Sequence, residues 1–249
     1  MNSINIFDVF LDNLTIKQLW DKLEEFITSD SNHLVVTVNA EFTLLARKNE
    51  LFRNILNGAD LSLPDGSGPA LAALTYGKKI KRHVGADLTA NLLNYAQKNK
   101  LPVVVINWCG GLSTSSELTE KIKSKYPELN ILIIDTERNG ELNENQSNKI
   151  ASFQPVLMFS TLGAPWQEYF LDNNRNTFKT VRLMVGVGGS FDFLINKVKR
   201  APLLWRQLGI EFLWRLIQQP QRWRRIWNAV PVFLITFLKW RYFEQKKNR

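Results

Sequence analysis

Asp65 lies in the segment Ala59-Asp-Leu-Ser-Leu-Pro-Asp-Gly-Ser-Gly68, where a short apolar stretch gives way to glycines and then to a small-residue helical pattern. Gly66 and Gly68 let the backbone come close to a ligand. A carboxylate in such a turn, ionised at neutral pH with an ordinary pKa of about 3.9, is placed to act as a general base. The same residue type just before a helix can equally cap it. Thr37 and Asn39 close an apolar run at i, i+2 spacing, which turns both side chains to one face. They suit a sugar or uracil, or the satisfaction of loose backbone groups. Gln167, in Gly163-Ala-Pro-Trp-Gln-Glu168, carries a donor and an acceptor for a base edge or sugar hydroxyls; the alternative is an exposed residue at a helix start. Gly186-Val-Gly-Gly-Ser-Phe-Asp192 has neither GxGxxG nor Walker spacing. Its Asp192 can contact a ribose or sugar hydroxyl, or anchor the loop.

These candidates need a frame. Apolar β-branched runs at Ile4–Phe10, Leu34–Val38, Val103–Asn107, Ile131–Asp135, Val156–Ser160 and Val181–Val187 read as strands. Amphipathic stretches at Thr15–Thr28, Asp87–Lys98, Ser113–Lys125 and Asn143–Ser152 read as helices. Their alternation predicts an α/β fold, a Rossmann-like and mostly parallel sheet with helices on both faces. Ligands of such sheets bind beyond the carboxyl ends of the strands, where the polar clusters around Thr37, Asp65 and Gly186 fall.

One cysteine, Cys109, excludes an intramolecular disulfide and a multi-cysteine zinc site, and is read as small and half-buried. Two histidines, His33 and His83, speak against a His-rich metal centre, and a lone His83 reads as structural or exposed. The start lacks a basic region followed by an apolar run, and no stretch reaches the ~20 apolar residues of a spanning helix. A cytoplasmic protein is expected.

The net charge of +9 is uneven. Residues 197–249 hold 13 Lys+Arg against two acids, or +11, whereas residues 1–196 hold 19 against 21, or −2. The chain thus divides into an α/β catalytic domain, 1–196, and a basic helical appendage, 197–249. Helices are expected at Leu203–Gln218 and Gln221–Tyr242, divided by Pro220. Trp205, Trp214, Trp223, Trp227 and Trp240 alternate there with Arg206, Arg215, Arg222, Arg224, Arg225 and Arg241. Tryptophan favours a membrane–water interface and arginine grips phosphate in a fork. The run 230–238 is too short to span and predicts an interfacial segment, so residues 203–242 are expected to dock on an anionic membrane surface from its inner side. Nucleic acid is the weaker partner, because exposed Phe233, Leu234, Ile235, Phe237 and Leu238 would gain nothing in a groove; a homo-oligomer helix is the third reading.

Taken together, Thr37-Val-Asn39-Ala-Glu41, the segment 59–68, Arg82-His-Val-Gly85 with Asp87-Leu88, Leu162–Glu168, Gly186–Phe193, Lys199-Arg-Ala-Pro202, Glu211–Arg215 and Pro220-Gln-Arg222 resemble the WecG/TagA/CpsF glycosyltransferases, in the family's order over residues 4 to 225. The resemblance implies an inverting, metal-independent transfer from a UDP-sugar, of the N-acetylmannosamine type or another hexose, to an undecaprenyl-diphosphate-linked glycan in cell-envelope or exopolysaccharide synthesis. No cofactor is implied. By position it makes Asp65 the base and puts Thr37, Asn39, Gln167 and Asp192 in the sugar pocket. Arg82 falls on a motif arginine, and Arg215, Arg222 and Arg225 on arginines that hold the diphosphate. Asn196 stands where the family usually has glycine, and Asn107-Trp108-Cys109 where it has aliphatic residues. The rival reading is a non-catalytic, membrane-recruited module that binds sugar nucleotide or lipid diphosphate. If the tail arginines reach the site only on docking, a chain cut near Lys199 is expected to keep its fold and lose transfer.

Overall fold

The computed structural model describes residues 3–208, 211–218, 220–223 and 227–247. Six parallel strands form its centre in the order β4-β3-β8-β7-β5-β6. They are β3 (His33–Val38), β4 (Leu61–Pro64), β5 (Val103–Trp108), β6 (Ile131–Thr136), β7 (Leu157–Ser160) and β8 (Leu183–Gly186). Five of the six expected strands take these places. The sixth, Ile4–Phe10, is instead an antiparallel hairpin, β1 (Ser3–Ile6) and β2 (Val9–Asp12). Phe7 and Asp8 have φ of 55° and 63°, so both central residues take the left-handed conformation of a two-residue hairpin turn. Asn5 Oδ1 accepts from the Asp8 amide at 2.8 Å. The apolar Phe7 hides that turn in the sequence; its ring is needed for the burial described below.

Helices cover both faces of the sheet, as the continuous apolar strands require. On one face a hydrophobic cluster joins Leu34, Val36 and Val38 to the helices α2 (Ala40–Lys48), α3 (Glu50–Gly58), α4 (Ser67–Thr75), α7 (Glu144–Phe153) and α8 (Trp166–Asn173). On the other, Val35, Val103 and Val185 pack on α1 (Ile16–Thr28), α5 (Gly85–Lys98), α6 (Ser115–Lys125) and α9 (Ser190–Leu194). The termini carry their own signals: Thr15 and Gln18 form a reciprocal cap on α1, as do Asn143 and Gln146 on α7. Consequently α2 and α8 leave β3 and β7 toward one face, while α9 leaves the intervening β8 toward the other. The chain parts there, and this point of the carboxyl edge is where a sheet of such winding forms its ligand crevice.

Beyond Lys199 the chain forms α10 (Leu203–Leu208), α11 (Glu211–Gln218), a 3-10 turn (Pro220–Arg222), a π-helical turn (Asn228–Val232) and α12 (Phe233–Lys247). Pro231 sits inside the π turn, where its missing N–H prevents a regular α-helical bond. Phe233 and Phe237 are fully buried, and their ring centroids lie 5.9 and 5.7 Å from that of Phe7. Arg241 Nη1 donates to the Thr75 carbonyl, and the guanidinium lies 4.1 Å from the centroid of Tyr76. The run 230–238 therefore divides: Phe233 and Phe237 enter the core, while Ile235 and Leu238 stay exposed. A cut near Lys199 would uncover Phe7 and α4, which argues against an intact truncated fold. Among the described residues no helix is long and apolar enough to cross a membrane.

Candidate functional site

The crevice is lined by the carboxyl ends of β3, β4, β7 and β8. Asp65 follows β4 directly, and its amide donates to the Val38 carbonyl at 2.9 Å. Its half-buried carboxylate is not the cap of α4: that position belongs to Gly66, which supplies no side-chain cap. The chain before α5 returns to the same place, because the His83 amide donates to the Pro64 carbonyl at 2.8 Å. As a result Gly85, the first residue of α5, faces three oxygens. A Cβ placed on it would lie 3.4 Å from Thr37 Oγ1, 3.6 Å from Ser190 Oγ and 3.8 Å from Asp65 Oδ2. A carboxylate, two hydroxyls and a helix N-terminus thus share one small volume.

Thr37 is buried and donates from Oγ1 to the Gly186 carbonyl at 3.3 Å, tying β3 to β8. Asn39 caps α2, with Oδ1 accepting from the Glu41 and Phe42 amides at 2.9 and 3.2 Å. Both therefore engage backbone, while lying where the crevice opens. Arg82 is half-buried, three residues before Gly85 and next to the amide that binds Pro64. His83 is buried, with Nε2 3.0 Å from the Leu14 carbonyl. Burial, partly offset by that carbonyl, lowers its pKa, so it is neutral structure.

Asp192 Oδ1 accepts from Ser113 Oγ at 2.7 Å, fastening α9 to the loop after β5. Next to it Asn107 donates to Asp135 Oδ1 at 2.7 Å and to the Ser113 carbonyl at 3.0 Å, and accepts from Thr161 Oγ1 at 2.9 Å. An aliphatic residue at 107 would leave those three groups without this partner. Asn196 has φ 59°, a region that asparagine tolerates better than most residues. Cys109 is exposed rather than half-buried, because it sits beyond the end of β5 on the loop side.

Gln167 is buried, not at an exposed helix start. Its Oε1 accepts from the Gly188 amide at 2.9 Å and its Nε2 donates to Glu168 Oε1 at 2.6 Å. Gly186 has to be glycine for this, since a Cβ there would stand 2.7 Å from Gln167 Nε2 and 2.9 Å from Glu168 Oε1. Glu168 is fully buried, and burial pushes its pKa up to about 8 against the lowering effects of the Gln167 amide and its own backbone N–H.

Arg200 brings positive charge to the crevice. Its Nη1 lies 2.6 Å from Asp87 Oδ1 in the first turn of α5. The hydrogen bond to Asp87 raises its pKa, burial opposes this, and the charges of Asp87, Glu211 and Asp65 add to the rise. Nε and Nη2 are buried with no hydrogen-bond partner among the described residues. Arg215 and Arg222 lie on described backbone, but their side chains, and Arg225 altogether, fall outside the described residues. Among the described residues no three His, Cys, Asp or Glu gather as they would around a metal.

Ser113, Ser190, Arg200 and Glu168 belong to this site or support it, and none was singled out by residue type and spacing. Serines in short polar turns are too common to stand out, and Arg200 and Glu168 were visible only inside longer motif stretches.

The sheet is a doubly wound α/β sheet with a carboxylate and two hydroxyls gathered at its carboxyl edge, the place where ligands of this fold class bind. The chain belongs to the glycosyl transferase WecG/TagA/CpsF family, whose profile matches residues 4–247. It is 30% identical over 217 residues to an N-acetylglucosaminyldiphosphoundecaprenol N-acetyl-beta-D-mannosaminyltransferase of Bacillus spizizenii, covering 86% of this chain and 82% of the relative. A protein of the same name from Bacillus subtilis is 30% identical over 243 residues, 96% and 92% of the two chains. One from Staphylococcus aureus is 26% identical over 245 residues, 95% and 92%. The protein is a glycosyltransferase.

Proposed function

We propose that the protein transfers an N-acetylmannosamine-type sugar from UDP to the N-acetylglucosamine of an undecaprenyl-diphosphate-linked acceptor, for a cell-envelope polymer. The observation that carries this reading is the placement of the Asp65 carboxylate beside Thr37, Ser190 and the N-terminus of α5. Asp65 removes the acceptor hydroxyl proton as the oxygen attacks the anomeric carbon, and a single displacement inverts it. Negative charge then develops on the departing UDP. A preorganised cation stabilises such charge without a metal; Arg200, held on Asp87 at the N-terminus of α5, is one such group in this reading, together with Arg215, Arg222 and Arg225. The names of the relatives support the acceptor and the transferred sugar. Exposed Leu204, Ile217, Trp223 and Trp227 in a segment of charge +11 support docking of the tail on an anionic membrane, where such an acceptor resides.

The test is incubation of the full chain with a panel of UDP-sugars and a short-chain lipid-diphosphate N-acetylglucosamine, with products read by mass spectrometry. Product with UDP-N-acetylmannosamine, unchanged by EDTA and lost in Asp65→Asn, is expected. Transfer that survives Asp65→Asn overturns the role of the base, and product with another donor alone overturns the sugar.

A further inference from the structure

Glu168 is the one carboxyl that is buried among the described residues, and nothing in the transfer chemistry above uses it. Its surroundings are fixed by one unambiguous donor. The Gly188 amide can only donate, so the Gln167 oxygen must face it, at 2.9 Å. The Gln167 NH2 then points at Glu168 Oε1, at 2.6 Å, while Glu168 Oε2 is buried with no hydrogen-bond partner. Gly186 presses its backbone against both side chains, and its carbonyl accepts from Thr37 on the far side. The links run from Glu168 through Gln167 to the glycine loop, and from that loop to the hydroxyl beside Asp65.

We propose that Glu168 is a positioning residue for the transfer reaction: as a neutral carboxylic acid it holds the Gln167 amide, and so fixes the loop Gly186–Gly189 that floors the crevice beside Thr37 and Asp65. An ionised carboxylate with one oxygen unsatisfied in an apolar interior is strongly disfavoured. The neutral acid still offers the amide an acceptor in Oε1 and avoids burying a charge, which costs far more than one unpaired hydroxyl. The elements packed on α8 bring it no compensating cation; the guanidinium of Arg138, on the loop beside Gly163, stacks on the Trp108 ring instead. β7 and β8 carry no titratable side chain, and that of β3 is His33 at the opposite end, paired with Asp60. On α3, Glu50 is exposed and Arg53 donates to the Ala46 carbonyl. On α8 itself Asp172 pairs with Arg175, and the Tyr169 hydroxyl accepts from Asn49. Loss of the proton, expected near pH 8, therefore puts an unbalanced charge behind the loop.

The rate effect rests on the transferase reading; the loop effect does not, and the experiment separates them. Full-length protein carrying 15N-glycine is titrated from about pH 6 to about pH 9.5 while the Gly188 amide is followed by NMR. Expected is a Gly188 shift with its midpoint near 8 in the wild type and none in Glu168→Gln, whose neutral amide keeps an acceptor for Gln167. In parallel, kcat/KM should fall about tenfold per pH unit above that midpoint in the wild type. The fall should be absent in Glu168→Gln, while Glu168→Ala is slow at every pH. A Gly188 amide that does not titrate, or the same response and alkaline fall in Glu168→Gln, overturns the proposal. A Gly188 response as expected with no transfer to any acceptor would overturn the transferase reading and uphold the hold on the loop.

Discussion

The two walls of the crevice use polar side chains in opposite ways. On the β3–β4 side, half-buried Asp65 faces the N-terminus of α5, where the hydroxyls of Thr37 and Ser190 converge. On the β7–β8 side, Gln167 and Glu168 are sealed, and each bonds the other or the backbone. On the first wall only Asp65 is part-exposed, while Thr37 and Ser190 are buried and bond the Gly186 and Val187 carbonyls; the second wall has no exposed group and holds the loop through Gln167. Gly186 stands between them, with its carbonyl on Thr37 and its Cα against Gln167 and Glu168. Chemistry and positioning therefore meet at one backbone residue, and residue type alone does not tell which wall a polar side chain serves.

Substitutions that treat the walls differently test that division. Asp65→Asn keeps shape and removes the proposed base; kcat/KM should fall about 10³-fold or more, roughly 4 kcal/mol on the barrier, with donor affinity by calorimetry little changed. Equal loss of binding and turnover would make Asp65 a ligand group instead.

Glu168→Gln acts on stability with a defined sign. The carboxyl sits near 8 when folded, against a usual 4.5. Below about 4.5 both states keep the proton and no penalty arises. As pH rises from there the unfolded chain releases its proton and the folded chain does not, so stability falls until about pH 8 and then levels. Near pH 7 the accumulated loss is about 3 kcal/mol. Glu168→Gln should therefore melt only slightly above the wild type near pH 5 and several degrees above it near pH 8 by calorimetry. An advantage that does not change with pH would place the carboxylate in an ionised, solvated setting.

Gly186→Ala puts a methyl group 2.7 Å from Gln167 Nε2 and 2.9 Å from Glu168 Oε1. Both side chains are buried and bonded and cannot swing away. About 2 kcal/mol of stability should be lost, with a larger fall in activity than Glu168→Gln causes near pH 6. A silent Gly186→Ala would show that the second wall is loose.

Thr37→Val removes one hydroxyl and a 3.3 Å bond to Gly186. The expected fall in kcat/KM is about five- to tenfold, near 1 kcal/mol. Loss of stability without loss of rate would assign Thr37 to the second wall.

Much of the frame was legible along the chain. Strands buried on both faces read as unbroken apolar runs, and capped helices between them announced their starts at Thr15 and Asn143. The hairpin turn was not legible, because Phe7 is held in a left-handed conformation by burial under Phe233 and Phe237, some 226 residues or more away in the chain. α2 and α3 were missed as well; α2 starts on the Asn39 cap, which spacing alone reads equally well as a ligand group, and α3 on the Asn49 cap, which carries no motif of its own. For the same reason Asn39 and Thr37 looked like pocket residues, and the structure adds that each already serves a backbone partner.

Composition and order of residues by themselves determined the parallel α/β sheet, the glycines and carboxylate at its carboxyl edge, and the concentration of positive charge after Lys197. Periodicity and charge are local properties of the chain, so they survive without coordinates. Tertiary structure alone decided that Gln167 and Glu168 are buried, that Arg200 stands near Asp65, and that α12 closes over Phe7. Desolvation, close approach and pairing are set by distant parts of the chain meeting in space, and no local pattern encodes them.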